Sequence, residues 1–575
     1  MSNTIGFSNF RRFANFQEID LGDITILVGG NNSGKSTIVK ALLLCVDNLI
    51  FMRMNDRRHG ESKSFLAFDK PLFRFDANEF HDVKIKEFAR AIHNKPVEEA
   101  DFLSLVNTKK KALPTAMTFR FTLDQFHFTF VVSGNRDERS TTGNIERIVI
   151  EDKKSHVKYE NDYQNHSMSY EVINTDFEEQ LTLVKKLISD YRKAKKAFDI
   201  ASEEGNLEAI TNVTASLDKM RMQITAMLDR DSEDEELSED EMLSIIAKNL
   251  FKNKPTKASY EMPLGILYNE VAEPVVLNVI SNIHNFATTK DVAPKFKSGD
   301  DPNIFGAELQ NYELMESYRK AMILDERIFV QSRRDLQNLL ASFKIEYISA
   351  HAANQNTLYN TADKNDYIAQ TVHNFWREKI NPGDREYEFV REWMQKFEIG
   401  IDFKISPLVP GEAYTVSITE ESGTLVPLAD KGMGSIQMMI LLLRLATILN
   451  KYKNHHNVYN LIAPIIVIEE PEQNLHPKMQ SLLADLFYHL ANFENCKFLI
   501  ETHSEYLIRK SQVIVSDAQF ADNEDLKENN KFKVYYLPND GTTRYEMEYR
   551  TDGKFSNEFG SGFFDEANNL LFDIL

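Results

Sequence analysis

The sequence predicts an α/β fold: a mixed central sheet with an antiparallel β lobe beside it and a helical segment inserted between the two halves of the chain. Three observations carry that expectation. A compact apolar strand, Ile24 to Val28, runs into a glycine-rich turn and then into a helical stretch. Two more apolar runs, Ile465 to Ile468 and Phe498 to Ile500, end abruptly in polar tips, as strands buried on both faces do. Between these ends, from Phe177, the apolar spacing changes to a helical 4-3 repeat.

Taken in order, Thr4 to Phe7 and Phe16 to Leu21 read as short strands, Ile24 to Val28 as a third, and Ser36 to Asp47 as the helix that follows the turn. Met117 to Leu123 and Phe126 to Val132 flank Asp124-Gln125 and form a β-hairpin in the antiparallel lobe. Phe177, Leu181, Val184, Ile188, Tyr191 and Phe198, then Ile210, Val213, Leu217, Met220, Ile224 and Met227, give two stripes around Gly205. They fit a short antiparallel coiled-coil hairpin over about 177–228, or else two ordinary core-facing helices. Arms of ~25 residues would reach only ~37 Å, too short for a long rod. Lys185, Lys186, Arg192, Lys193, Lys195 and Lys196 on the first arm either solvate it, pair with the acidic stretch that follows, or form a local basic patch for nucleic acid. An acidic linker follows at 229–241, with nine acids and one arginine. Ile345 to Ser349 is again a strand, and Tyr414 to Ile418 with Thr424 to Leu428 a hairpin around Glu421-Ser422-Gly423. Met438 to Leu449 is a helix, Phe532 to Leu537 and Tyr545 to Tyr549 are closing strands, and Phe563 to Leu575 is a final helix. Expected boundaries are 1–150, 151–340 and 341–575.

A chain of 575 residues has room for about four domain-sized pieces, and 42% hydrophobic with 27% charged residues is ordinary globular usage. Its 67 basic and 87 acidic residues give 67 − 87 = −20, which excludes nucleic-acid binding by a uniformly basic surface. The uncharged apolar stretches fall short of the ~20 residues of a bilayer span, and the N-terminus has no signal-type apolar region, so no membrane segment is expected. Two cysteines, Cys45 and Cys496, fit a reducing, cytoplasmic setting.

Gly29-Gly30-Asn31-Asn32-Ser33-Gly34-Lys35-Ser36-Thr37 matches G-x-x-x-x-G-K-[ST], which average residue usage yields by chance in about 2% of chains this long. Such a loop curls its backbone N–H groups round phosphates, and the helix dipole adds positive potential there. Gly29, Asn31, Asn32, Ser33, Gly34, Lys35, Ser36 and Thr37 are therefore expected to hold ATP, with Lys35 on the β and γ phosphates and Ser36 on Mg²⁺. Glu469 and Glu470 close an apolar strand and face opposite ways. Glu469 is expected near the Mg²⁺ shell through water, and Glu470 as the carboxylate that activates the attacking water. His503, in Glu501-Thr502-His503-Ser504, is expected to sense the γ phosphate. Gly432, Gly434 and Ser435 at a helix start form an anion nest, expected to serve another subunit's nucleotide.

GGNNSGKST, LADKGMGSIQ, IIVIEEPEQNLHP and ETHS, in that order, resemble the ABC-type ATPases of the OLD, RecF and SMC group, closest in flavour to PtuA-like ATPases of bacterial anti-phage systems such as Septu and some retrons. The likeness spans roughly 1–50 and 340–510. It implies an ABC-type P-loop NTPase head. It also implies a homodimer or higher oligomer sharing ATP between the loop of one subunit and Gly432-Gly434-Ser435 of the other, and control of a separately encoded effector such as an HNH nuclease. Asn9-Phe10-Arg11-Arg12-Phe13 resembles the family's N-F-R-S-F entry, which implies Arg11 beside the base or ribose. Glu469 departs from the family's aspartate, Gln355 is the candidate for the Q-loop glutamine, and the 575 − 503 = 72 residues after His503 contain no D-x-D or G-x-x-E of a Toprim nuclease. Two other functions fit the same motifs: a RecF- or SMC-like ATPase on duplex DNA, or an ATP-bound scaffold with little turnover.

Overall fold

The computed structural model describes residues 3–51, 71–76, 85–92, 116–134, 140–165, 167–172, 260–263, 326–349, 358–362, 366–409, 411–456, 464–538 and 544–560. A few isolated positions (193–194, 196–198, 202, 214, 277, 279–280 and 564) are described as well. The coiled-coil hairpin, the acidic linker, Gln355 and the final helix lie outside the described residues, apart from those isolated positions.

The chain opens with β1 (Asn3–Phe10), β2 (Phe13–Leu21) and β3 (Ile24–Gly29), then α1 (Lys35–Phe51). β4 (Leu72–Arg74), α2 (Phe88–Ala91), β5 (Met117–Leu123), β6 (Phe126–Ser133), β7 (Thr142–Asp152), β8 (Val157–Asp162), β9 (Ser167–Val172) and β10 (Tyr260–Pro263) follow. The second half holds α3 (Glu326–Ser342), β11 (Ile345–Ile348), β12 (Tyr359–Asn360), α4 (Tyr367–Arg377), α5 (Arg385–Lys396), β13 (Asp402–Val409), β14 (Ala413–Thr419) and β15 (Leu425–Pro427). It ends with α6 (Met433–His456), β16 (Ile465–Glu469), α7 (Pro477–Phe493), β17 (Lys497–Glu501), α8 (Glu505–Asp517), α9 (Asn523–Asn529), β18 (Phe532–Leu537) and β19 (Tyr545–Glu546).

β11, β16, β17, β3 and β18 lie side by side in that order and all parallel, with β19 antiparallel at the edge. β3 is thus flanked by strands from the far end of the chain, β17 and β18. Alternation along these strands divides the core in two. Leu27, Val467, Leu499 and Tyr535 join one cluster with α1 and the antiparallel lobe. Ile26, Val28, Ile466, Ile468 and Ile500 join the other, with α6 and α7. α1 is apolar nearly all round, with Ile38, Val39, Leu42, Leu43, Cys45, Val46 and Leu49 buried; a helix of that composition belongs between layers.

The lobe is a nine-stranded antiparallel sheet ordered β10-β9-β8-β7-β6-β5-β1-β2, with β4 on β7. Its face against α1 is aromatic: Phe73 stacks on Phe119 at 5.3 Å and Phe7 on Phe16 at 4.8 Å. The hairpin at Asp124-Gln125 forms as expected. The sheet continues past residue 150, the expected end of the first lobe, because β7 runs to Asp152 and β8 and β9 extend the ladder to Val172. Asp152 fixes the arrival of α3: its carboxylate accepts from Ser332 Oγ at 2.6 Å and Gln125 Nε2 at 3.1 Å.

A third, four-stranded sheet (β12, β13, β14, β15) contains the expected hairpin around Glu421-Ser422-Gly423. Helices and strands are mostly longer than the apolar pattern alone marks, while β19 stops at Glu546, short of the expected Tyr549. α6 begins five residues before Met438, since Gly434 and Ser435 already lie in its first turn and Gly432 immediately precedes it. Among the described residues α6 is the one helix long and apolar enough to cross a membrane, and 67% of that window is buried inside the protein.

Candidate functional site

The carboxyl ends of β3, β17 and β16 lie together, the place where open parallel sheets present functional loops. Glu501 sits beside Leu27 in the β17–β3 ladder and beside Glu469 in the β16–β17 ladder, so the turn after β3 and both acidic strand ends converge by register.

That turn needs glycine at two positions. Gly29 has φ +153°, and a Cβ there would stand 2.3 Å from the Leu537 carbonyl oxygen; Gly34 has φ +109°, and its Cβ would meet Phe13 Cζ at 2.4 Å. Asn32 takes the left-handed conformation at φ +62°, and the Ser33 N–H donates to the Gly30 carbonyl at 3.2 Å, closing the curl. Lys35 is 3% exposed and donates to the carbonyls of Gly29 (3.0 Å) and Gly30 (3.1 Å). Its ammonium lies 4.0 Å from Glu501 Oε1. Burial lowers the Lys35 pKa, against Glu501, Glu470 and Glu472, which raise it.

The loop borders a cavity of about 600 Å³, a volume in the range of small-molecule sites. Among the described residues, Arg11, Arg12, Lys35, Lys40 and Arg90 bring five cations to its wall, Glu501 is the one acid there, and Asn32, Ser33, Gly34, Ser36 and Thr37 also line it. Arg11 reaches it from a left-handed position, φ +51°, with its N–H donating to the Ala91 carbonyl at 2.6 Å. Burial lowers the Arg11 pKa and neighbouring Arg90 adds to the effect; Lys40 is lowered by burial and by Arg11. A wall with this charge fits a polyphosphate.

Glu501 escaped notice in the sequence. Ser36 Oγ donates to its Oε1 at 2.9 Å, while its Oε2 is buried with no hydrogen-bond partner. Burial raises its pKa to about 7, with Glu469 and Glu470 adding to the rise and Ser36 and Lys35 opposing it. The buried Ser33 hydroxyl is likewise without a partner. Orphaned oxygens beside a glycine cradle and clustered cations fit a phosphate chain carrying a divalent metal. Among the described residues no group of three or more His, Cys, Asp or Glu is arranged as a metal cage, and Mg²⁺ on a nucleotide needs none, because water and phosphate complete its shell.

Glu470 takes a left-handed backbone, φ +44°, pinned by its N–H donating to the Glu501 carbonyl at 2.7 Å. Strain of this kind collects at functional positions. Its carboxylate accepts from Gln473 Nε2 and lies 3.8 Å from His503 Nε2. His503 is 35% exposed and held by its backbone N–H donating to the buried Glu472 at 2.6 Å. Burial and Lys35 lower the His503 pKa, with Glu470 opposing.

Glu469 ends β16 one strand farther from β3 and lines a separate small pocket with Gln437 and Tyr367, not the cavity around Lys35. Gly432, Gly434 and Ser435 do not line that cavity either. Gly432 is exposed with open space where a Cβ would be, while Gly434 abuts the Asn474 carbonyl, 2.6 Å from its would-be Cβ.

A family model described as an AAA ATPase domain matches residues 1–508. No curated protein matches the chain. Among solved structures, the SMC head domain of Pyrococcus furiosus bound to the C-terminal domain of ScpA aligns at 10% identity, covering 100% of this chain and 99% of that one, with TM-score 0.29. The SMC head domain with coiled coil and joint of Pyrococcus yayanosii aligns at 10% identity over 96% and 98%, TM-score 0.30. The SMC head domain of Thermotoga maritima aligns at 9% identity over 95% and 99%, TM-score 0.28.

Proposed function

Because the chain belongs to the AAA ATPase domain family, we propose that it binds and hydrolyses ATP as a switch, with the triphosphate in the loop of residues 29–37. The observation that carries this reading is the five-cation cavity built on that loop. The backbone N–H groups of the loop and the α1 N-terminus receive the phosphates. Lys35 exchanges its two carbonyl partners for the β and γ oxygens, and Ser36 lies where a phosphate-bound Mg²⁺ would be held; Glu469, which lines a neighbouring pocket, would act on that ion only through water. When bound, Mg²⁺ offsets phosphate charge and polarises the γ-phosphoryl group.

Glu470 takes the proton from the attacking water, and neutral His503, 3.8 Å from it, orients that water and the γ phosphate. Arg11 sits on the cavity wall, suited to ribose or base. Gly432, Gly434 and Ser435 serve the nucleotide of a second copy, a reading supported by their position outside this chain's own cavity. Dimerisation and ATP binding are then linked equilibria. The proposed division of the chain is an N-terminal ATPase lobe, a helical insertion and a C-terminal ATPase lobe. The resemblance of these motifs to PtuA-like ATPases supports a role in anti-phage defence, in which the ATP-bound assembly controls a separately encoded effector, a nuclease by preference.

Lys35→Ala should remove ATP binding, read by calorimetry; unchanged affinity would discard the loop assignment. Glu470→Gln should hold the ATP-bound assembly with little phosphate release, and normal turnover in that variant would free Glu470 of its role. Copurification with the products of neighbouring genes, with and without ATP, tests the effector; isolation of the chain alone under both conditions argues against it.

A further inference from the structure

We propose that Glu501, at the end of β17, is the carboxylate that directly ligates the divalent cation of the bound nucleotide, beside Ser36; the inference rests on the ATP reading and refines its metal shell.

Strand order comes first. β17 lies between β16 and β3, so its end is one strand spacing, about 4.8 Å, from the loop strand, whereas β16 is two spacings away. Glu501 accordingly lines the cavity with Lys35 and Ser36, and Glu469 does not.

Geometry agrees. Mg²⁺ takes octahedral oxygen ligands at about 2.0–2.1 Å, so two neighbouring ligands stand about 2.9 Å apart. Ser36 Oγ and Glu501 Oε1 are 2.9 Å apart. An ion between these oxygens and the β and γ phosphates would need only the Ser36 hydroxyl proton to turn away from Oε1. Glu501 Oε2, buried and without a hydrogen-bond partner, marks a carboxylate that the protein alone leaves unsatisfied. Electrostatics agrees: a buried carboxylate facing a triphosphate repels it, and a divalent ion between them would add to the offset that the Lys35 ammonium, 4.0 Å from Oε1, supplies.

The test measures ATP affinity by calorimetry in EDTA and again in Mg²⁺, for wild type, Glu501→Gln and Glu469→Gln, with circular dichroism to confirm folding. Wild type should bind more tightly with Mg²⁺. Glu501→Gln should match or exceed wild type in EDTA, having lost a repulsive charge, and should lose at least tenfold of the Mg²⁺-dependent gain; Glu469→Gln should lose less. Glu501→Asp, which keeps the charge but withdraws it, should give an intermediate gain and stands in if the glutamine variant fails to fold. A full Mg²⁺ gain in Glu501→Gln or, failing that, in Glu501→Asp overturns the inference while leaving the ATP reading intact. Wild-type protein that binds no ATP under either condition overturns both.

Discussion

Substituting Gly34 by alanine separates two costs that the structure makes visible at one atom. The backbone there has φ +109°, a region that L side chains rarely adopt, which costs on the order of 1–3 kcal/mol. The new methyl would also stand 2.4 Å from Phe13 Cζ and 2.5 Å from Cε2. Phe13 cannot swing aside freely, because it is buried edge-on to Phe7 (5.7 Å) and Phe16 (5.1 Å), and overpacking of this sort typically costs about 1–3 kcal/mol. Gly34→Ala should therefore lose roughly 2–6 kcal/mol in urea unfolding and bind ATP at least tenfold more weakly, since the loop must open to relieve the clash. Phe13→Ala removes the steric part and leaves the torsional part. In a double-mutant cycle the pair should be less destabilised than the sum of the singles by about 1–3 kcal/mol. A Gly34→Ala protein within about 0.5 kcal/mol of wild type, or a cycle with no coupling, would refute this account of the loop.

Gly434→Ala should destabilise the protein despite alanine's better helix propensity, because its methyl would meet the Asn474 carbonyl oxygen at 2.6 Å; Gly432→Ala, with open space, should leave stability unchanged, and urea melts of the two variants test the contrast. Asp366→Ala should cost about 1 kcal/mol, because its carboxylate caps α4 by accepting from the N–H groups of Ile368 and Ala369; an unchanged unfolding midpoint would contradict that. Burial raises the Glu472 pKa above the usual carboxylate range, against the lowering effect of the His503 N–H. The folded state thus holds that proton more tightly, and its contribution is complete at acid pH and drains away as pH rises through the folded-state value. Wild type should lose stability relative to Glu472→Gln as pH rises above the usual carboxylate range, and a flat difference across a pH series would reject the shift.

What the sequence could disclose was set by range. The turn around Lys35 is legible because its glycines and the strand and helix on either side form one contiguous run, and the hairpin at Asp124-Gln125 is legible because its two strands are neighbours in sequence. Glu501 is different. Its signal, an apolar strand followed at once by a carboxylate, is the one that singles out Glu469, but only the placement of β17 between β16 and β3 sets Glu501 against Ser36. No local pattern encodes strand order. The run of β7, β8 and β9 beyond residue 150 was hidden for a related reason: alternating strands whose partners are each other carry no marker of where a lobe ends.

β3 is complete by residue 29, yet the strands that flank it span 497–501 and 532–537, and the hydroxyl of Ser36 meets its partner 465 positions later. Synthesis from the N-terminus therefore makes the loop long before its walls. A growing polypeptide on the ribosome carries an unwalled glycine turn over 465 residues of translation, and competence to take up a nucleotide should arise only once β17 and β18 emerge and slot in on either side.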